Sequence, residues 1–139
     1  MSKATENLLQ AQKTAMKNRP KVGGFPHFAE VLRQAGVTHN FWSLPSCQSL
    51  FLTKEGPVMM QGEPLVNGVV DVPIFDKEAL IQALRVDQNG NSTFPEFLAA
   101  TWKAGVVSYE VDFVKRIVTY LGCEGDSYHE EYPAVQVDL

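Results

Sequence analysis

Several stretches of the chain carry residue types that can do chemistry. Asp87-Gln88-Asn89-Gly90-Asn91-Ser92-Thr93-Phe94 sets oxygen-bearing side chains at alternate positions, in the manner of an EF-hand calcium loop. Ser92 stands sixth, where that loop needs glycine for its bend, and Leu98 stands twelfth, where it needs a bidentate carboxylate. Glu96 comes two residues early, at the spacing of a helix-capping partner for Thr93. The stretch therefore reads as an Asn/Gly-rich turn between two helices, and no metal site is expected.

Ser127-Tyr128-His129-Glu130-Glu131-Tyr132 gathers an imidazole and two carboxylates. On a strand, His129 and Glu131 share one face while Tyr128, Glu130 and Tyr132 share the other. A single His–Glu pair binds a metal or moves a proton only with further ligands or a nucleophile from elsewhere. A charged edge strand that resists aggregation explains the same residues, and that is the preferred reading. Cys47 and Cys123 are possible nucleophiles with His27, His39 or His129 as bases, but neither has a nucleophile motif beside it. Trp42, Tyr109, Tyr120 and Tyr128 can line a ligand surface, although aromatics at strand spacing are more often core. The chain holds no G-x-G-x-x-G, phosphate loop, G-x-S-x-G or H-E-x-x-H. Catalytic and cofactor-binding residues stay unassigned, no cofactor is expected, and the reading leans away from an enzyme.

The elements that must position these residues are set by 139 residues, 45% of them apolar and 20% charged. That suits a single domain rather than two independent ones, and it is too apolar for a disordered chain. The formal charge of −4 disfavours nucleic acid as a partner. No apolar run approaches the ~20 residues that cross a bilayer. Two cysteines make no disulfide framework, so a soluble cytoplasmic protein with reduced thiols and no membrane partner is expected.

Self-comparison organises the rest. A shift of 69 residues lays Phe25-Pro26-His27-Phe28 on Phe94-Pro95-Glu96-Phe97 and Ala35-Gly36-Val37 on Ala104-Gly105-Val106. Ten of the 41 positions from Phe25 to Leu65 are identical in that register, and they fall where local structure needs them. Thr93 and Glu96 form a capping box with Pro95 in the first turn; Gly24 takes the cap position in the other copy, and Gly36 and Gly105 are the helix stops. Val107, Tyr109, Val111 and Phe113 alternate with polar residues as a half-buried strand does. Two more strands follow in each copy, and a further helix precedes each capped one, carrying Leu8, Leu9, Ala15 and Met16 in the first and Leu80, Ile81 and Leu84, capped by Asp76, in the second. The fold class is α+β: a helix–helix–three-stranded antiparallel meander unit, duplicated. Repeat 1 spans about 1–65, a linker 66–73 and repeat 2 about 74–139. Two pairings of the meanders stay open, edge to edge or stacked. The phenylalanines of each Phe-Pro-x-Phe start are expected against the meander of their own half. Charge has diverged between the halves: residues 1–69 hold seven Lys/Arg and four Asp/Glu, residues 70–139 five and twelve.

The run Ala104-Gly105-Val106-Val107-Ser108-Tyr109-Glu110-Val111-Asp112-Phe113, continuing through Ile117–Gly122 to Glu130-Glu131-Tyr132-Pro133, resembles the YbcV-like proteins. These are small bacterial and prophage-associated proteins often labelled phage envelope proteins. The resemblance covers nearly the whole chain, most recognisably residues 94–133, and implies kinship without an activity or catalytic residues to carry over.

The function expected on these grounds is a non-enzymatic binding or interaction module that self-associates. The alternative is a small-molecule-binding protein or enzyme with its site where the two repeats meet. A deep cleft lined by His129, a carboxylate and Cys47 or Cys123 points to the alternative, and a flat apolar patch to the module.

Overall fold

A computed structural model describes residues 1–138; Leu139, the last residue of the second repeat, lies outside the described residues. The elements run α1 (Lys3–Lys17), α2 (Gly24–Gln34), β1 (Val37–Ser43), β2 (Gln48–Thr53), β3 (Gly56–Gln61), α3 (Lys77–Gln88), α4 (Phe94–Lys103), β4 (Ser108–Asp112), β5 (Ile117–Leu121) and β6 (Ser127–Glu131). Each half is the expected helix–helix–meander unit. The two meanders join edge to edge through β1 and β4, antiparallel, giving one six-stranded sheet in the order β3-β2-β1-β4-β5-β6. That pairing removes an exposed edge from each meander and leaves only β3 and β6 at the rims.

Local chemistry explains where the elements stop. Thr93 accepts from the Glu96 amide while the Glu96 carboxylate accepts from the Thr93 amide, and Pro95 sits in the first turn of α4. Ser2 and Asp76 cap α1 and α3 through their side-chain oxygens. In the first repeat the cap falls one residue earlier than expected: Gly23, at φ 66°, holds it, and Gly24 is already helical. Gly36 and Gly105 leave their helices at φ 98° and 86°, in the left-handed region as expected. Both inner hairpins turn through four residues, Leu44–Cys47 and Phe113–Arg116, and both turns end on a left-handed residue, Cys47 or Arg116.

The 69-residue register carries through the first two strands of each repeat and then slips by one. Thr53 pairs with Gly56 around a two-residue turn, whereas Gly122 meets Asp126 around three residues, Cys123-Glu124-Gly125. Val58 therefore corresponds to Tyr128, not Ser127. The single added residue is absorbed by the loop, so the β6 side chains keep the correct face.

All four helices meet one face of the sheet, where Phe51, Val58, Val111 and Val118 are buried with Leu8, Leu32, Leu80 and Leu84 of the helices. The buried stripe of α1 is Ala4, Leu8, Ala11 and Ala15; Leu9 and Met16, expected in that stripe, are largely exposed. Residues 62–76 hold no helix or strand. Leu65 donates to the Pro45 carbonyl and Asp76 to the Ala104 carbonyl, which ties this segment to both repeats.

Candidate functional site

Between the helices and the inner face of the sheet lies a cavity of about 440 Å³. Protein interiors are packed with few voids larger than a water molecule. A space this size falls within the ~300–1,000 Å³ of ligand sites, and is about three times the ~150 Å³ that admits benzene. From the sheet come Asn40 and Trp42 of β1, Ser49 and Phe51 of β2, Tyr109 and Val111 of β4, and Val118 and Tyr120 of β5. The helices add Gln12 and Met16, Phe25 and Phe28, Leu84 and Asp87, and Phe94 and Phe97. Ten of the fourteen aromatic side chains of the chain line it.

The aromatic groups meet across the two repeats in one connected set and one separate pair. Trp42 stacks on Tyr109, ring centroids 5.8 Å apart and planes 5° from parallel. Phe94 meets Trp42 edge-on at 5.4 Å, and Tyr120 tilts against Tyr109 at 5.9 Å. Phe25 meets Tyr132 edge-on at 5.2 Å. The expectation that each Phe-Pro-x-Phe start packs within its own half is therefore corrected: Phe25 of repeat 1 touches repeat 2, and Phe94 of repeat 2 touches repeat 1. The β1–β4 joint sets the two copies side by side, so a helix start of one repeat reaches aromatics of the other. Phe97 is buried, but Phe94 is 45% exposed, at the rim.

The polar groups of the lining are few. Asn40 is buried and donates to the Leu50 carbonyl at 3.3 Å. Ser49, also buried, shares the floor. Asp87 accepts from the Ser92 hydroxyl at 3.0 Å, and burial pushes its carboxyl above the usual aspartate range. Glu130 is held by both terminal nitrogens of Arg85, at 2.7 and 3.0 Å, and by Gln88 and the Tyr128 hydroxyl. The Arg85 hydrogen bonds hold its carboxyl below the ordinary glutamate value, so it stays a spoken-for carboxylate. Burial raises the Cys47 thiol and, well above its ordinary value, the Tyr109 phenol. Neither is an activated nucleophile.

The residues singled out by type divide between the two faces of the sheet. Cys47, Trp42, Tyr109 and Tyr120 line the cavity; Tyr128 packs beside it. Asp87 lines it too, but as the last-turn residue of α3 rather than the first position of a calcium loop. Gly90, at φ 75°, and the Ser92–Asp87 bond make the following stretch a turn. His129 shares a face with Glu131 and is exposed, and His39 lies on the outer face with its Nε2 3.7 Å from Asp112. None of the three histidines belongs to the lining. Cys123 is exposed in the last hairpin, unpaired. Among the described residues no group of three or more His, Cys, Asp or Glu could hold a metal ion. Asn40, Ser49 and Arg19 escaped the reading by type. The available signal was a polar residue in the inward register of a strand, at Asn40 beside Trp42 and at Ser49 beside Phe51.

Residues 13–132 match a family described as Protein of unknown function (DUF1398). The chain is also similar to the uncharacterized protein Rv2012 of Mycobacterium tuberculosis and the uncharacterized protein Mb2035 of Mycobacterium bovis. Each is 53% identical over 136 residues, which cover 98% of this chain and 83% of the relative.

Proposed function

We propose that this chain, which belongs to the DUF1398 family, is a small-molecule-binding protein whose site is the partly open cavity lined by both of its repeats. The observation that carries the reading is the cavity itself. A largely apolar, partly open space of about 440 Å³ exposes aromatic walls to water, and an apolar ligand seated there replaces those water contacts by dispersion. The occupant suited to a wall of Trp42 stacked on Tyr109, with Tyr120 tilted against it, is flat and largely apolar. With Cys47 and Tyr109 kept protonated by burial, the lining offers binding rather than a nucleophile, so the reading is non-enzymatic.

Calorimetric titration with 2-naphthalenemethanol, an uncharged two-ring probe, tests this. One site per chain is expected, and Val111→Trp, which plants an indole on the cavity floor, should abolish it. Absence of binding to the parent protein, or equal binding to Val111→Trp, would remove the cavity as the site.

No helix among the described residues is long and apolar enough to cross a membrane. The two unpaired cysteines support a reducing, cytoplasmic setting. The half-buried Phe41 and Leu50 on the uncovered sheet face support self-association, which equilibrium sedimentation tests.

A further inference from the structure

The charged groups of the lining carry the identification of the ligand one step further. Among the described residues, the arginines and lysines that meet a carboxylate are Lys3 with Glu55, Arg33 with Glu30 and Arg85 with Glu130. Arg19 lines the cavity and pairs with no carboxylate. Its position is built. The guanidinium lies over the Phe28 ring, 5.7 Å from the centroid, and the side chain presses on Gly24, where a Cβ would stand 2.6 Å from its Nε. One terminal nitrogen meets the Met16 sulfur at 4.0 Å, and the guanidinium's other N–H donors are left for a planar anion.

Charge around Arg19 points the same way. Between Glu6 and Glu30 the chain holds Lys13, Lys17, Arg19 and Lys21 and no acidic residue. Gln12 and Met16, in the same stretch, line the cavity with Arg19. Among the described residues, Arg19 is the one cation of this stretch in the lining; Lys13, Lys17 and Lys21 lie outside it, and the charge of the stretch favours approach of an anion from that side. Asp87, Glu130 and Glu131 are the carboxylates of the lining. The Oδ1 of Asp87 is engaged by Ser92, and Arg19 acts on that carboxyl through space without a direct ion pair; Glu130 is held by Arg85, and Glu131 is exposed.

Resting on the cavity reading above, we propose that the ligand is an aromatic carboxylate, its rings against Trp42 and Tyr109 and its carboxylate on the Arg19 guanidinium. The rings supply dispersion and exclusion of water, and the carboxylate supplies orientation through a two-pronged hydrogen bond.

Three probes of one shape separate the parts: 2-naphthoate, 2-naphthalenemethanol and protonated 2-naphthylmethylamine, titrated by calorimetry into the whole protein at pH 7. The acid should bind about tenfold tighter than the alcohol, and the amine no tighter than the alcohol. Arg19→Gln should remove the acid's advantage over the alcohol, and a cooperative urea transition of the variant shows that it is folded. An alcohol or amine that binds as tightly as the acid would overturn the carboxylate and leave the cavity standing. A preference for the acid that survives in Arg19→Gln would overturn the role of Arg19. Failure of all three probes to bind the parent would overturn the cavity reading and this one with it.

Discussion

Phe41 stands directly opposite Glu110 across the β1–β4 pair, and the two are 69 residues apart, the period of the internal repeat. A local twofold axis therefore passes between them and relates the two halves. Residues equally distant from the axis are partners in the sheet: Trp42 with Tyr109, Asn40 with Val111, His39 with Asp112. The backbone is symmetric about the axis and the side chains are not. By the repeat, Asn40 corresponds to Tyr109 and Trp42 to Val111, so the cavity floor is built from unlike residues in equivalent places. Both copies line the cavity, and the unlike residues at equivalent places give it a direction.

Because β1 and β4 are the joint, neither half should fold alone. Residues 1–69 and 70–139 as separate fragments should each lack a cooperative thermal transition, and an equimolar mixture should recover one. A cooperative transition in either fragment, followed by circular dichroism, would show that the edge pairing is dispensable.

The two phenylalanines of α4 should behave differently. Phe97 is 8% exposed and Phe94 45%. Phe97→Ala should cost about 3–5 kcal/mol in urea unfolding. Phe94→Ala should cost about 1 kcal/mol, the scale of its edge-on contact with Trp42, and should weaken probe binding at the rim. Thr93→Ala, which removes the cap, should fall near ~1 kcal/mol. Equal losses for the two phenylalanine variants would contradict the burial assigned to them.

Two glycines separate backbone strain from collision. Gly125, at φ 83°, has open space where a Cβ would stand, so Gly125→Ala should cost only the ~1–2 kcal/mol of a left-handed residue. Gly105, at φ 86°, has the Phe75 Cα at 2.4 Å from that point. Gly105→Ala adds a collision with backbone to the same strain, and its melting temperature should fall well below that of Gly125→Ala.

Asp87 gives a signed pH dependence. Burial raises its folded pKa above the ordinary 3.8, so its share of stability is complete below that value and is lost as pH rises through the folded pKa. Asparagine does not titrate and can still accept from Ser92. Asp87→Asn should therefore gain stability relative to the parent between pH 3 and pH 7, measured by urea unfolding at each pH. A constant difference across that range would mean the Asp87 carboxyl is as well hydrated in the fold as out of it.

Much of this was legible in the sequence because it rests on local rules. Gly36 and Gly105 mark helix exits that need a left-handed residue, and Thr93 and Glu96 mark a capping box. The alternation of Tyr109, Val111 and Phe113 gave the inner face of β4. The edge-to-edge joint was not legible, since nothing in the alternation of β1 or β4 distinguishes a central strand from a rim strand. The cavity was not legible for a related reason. Trp42, Tyr109 and Tyr120 read as inward-facing, but whether inward-facing rings meet or leave room depends on the distance between helices and sheet. The crossing of Phe25 and Phe94 to the opposite repeat follows from the joint, and went unread with it.

The most direct test of the cavity as a ligand site is a crystal structure of the protein soaked in 6-bromo-2-naphthalenemethanol, with data collected at the bromine edge. The account predicts one strong anomalous peak inside the cavity, within contact distance of Trp42, Tyr109 and Phe97. Bromine found only on the outer face of the sheet, with the side chains of the cavity closed upon one another, would contradict it.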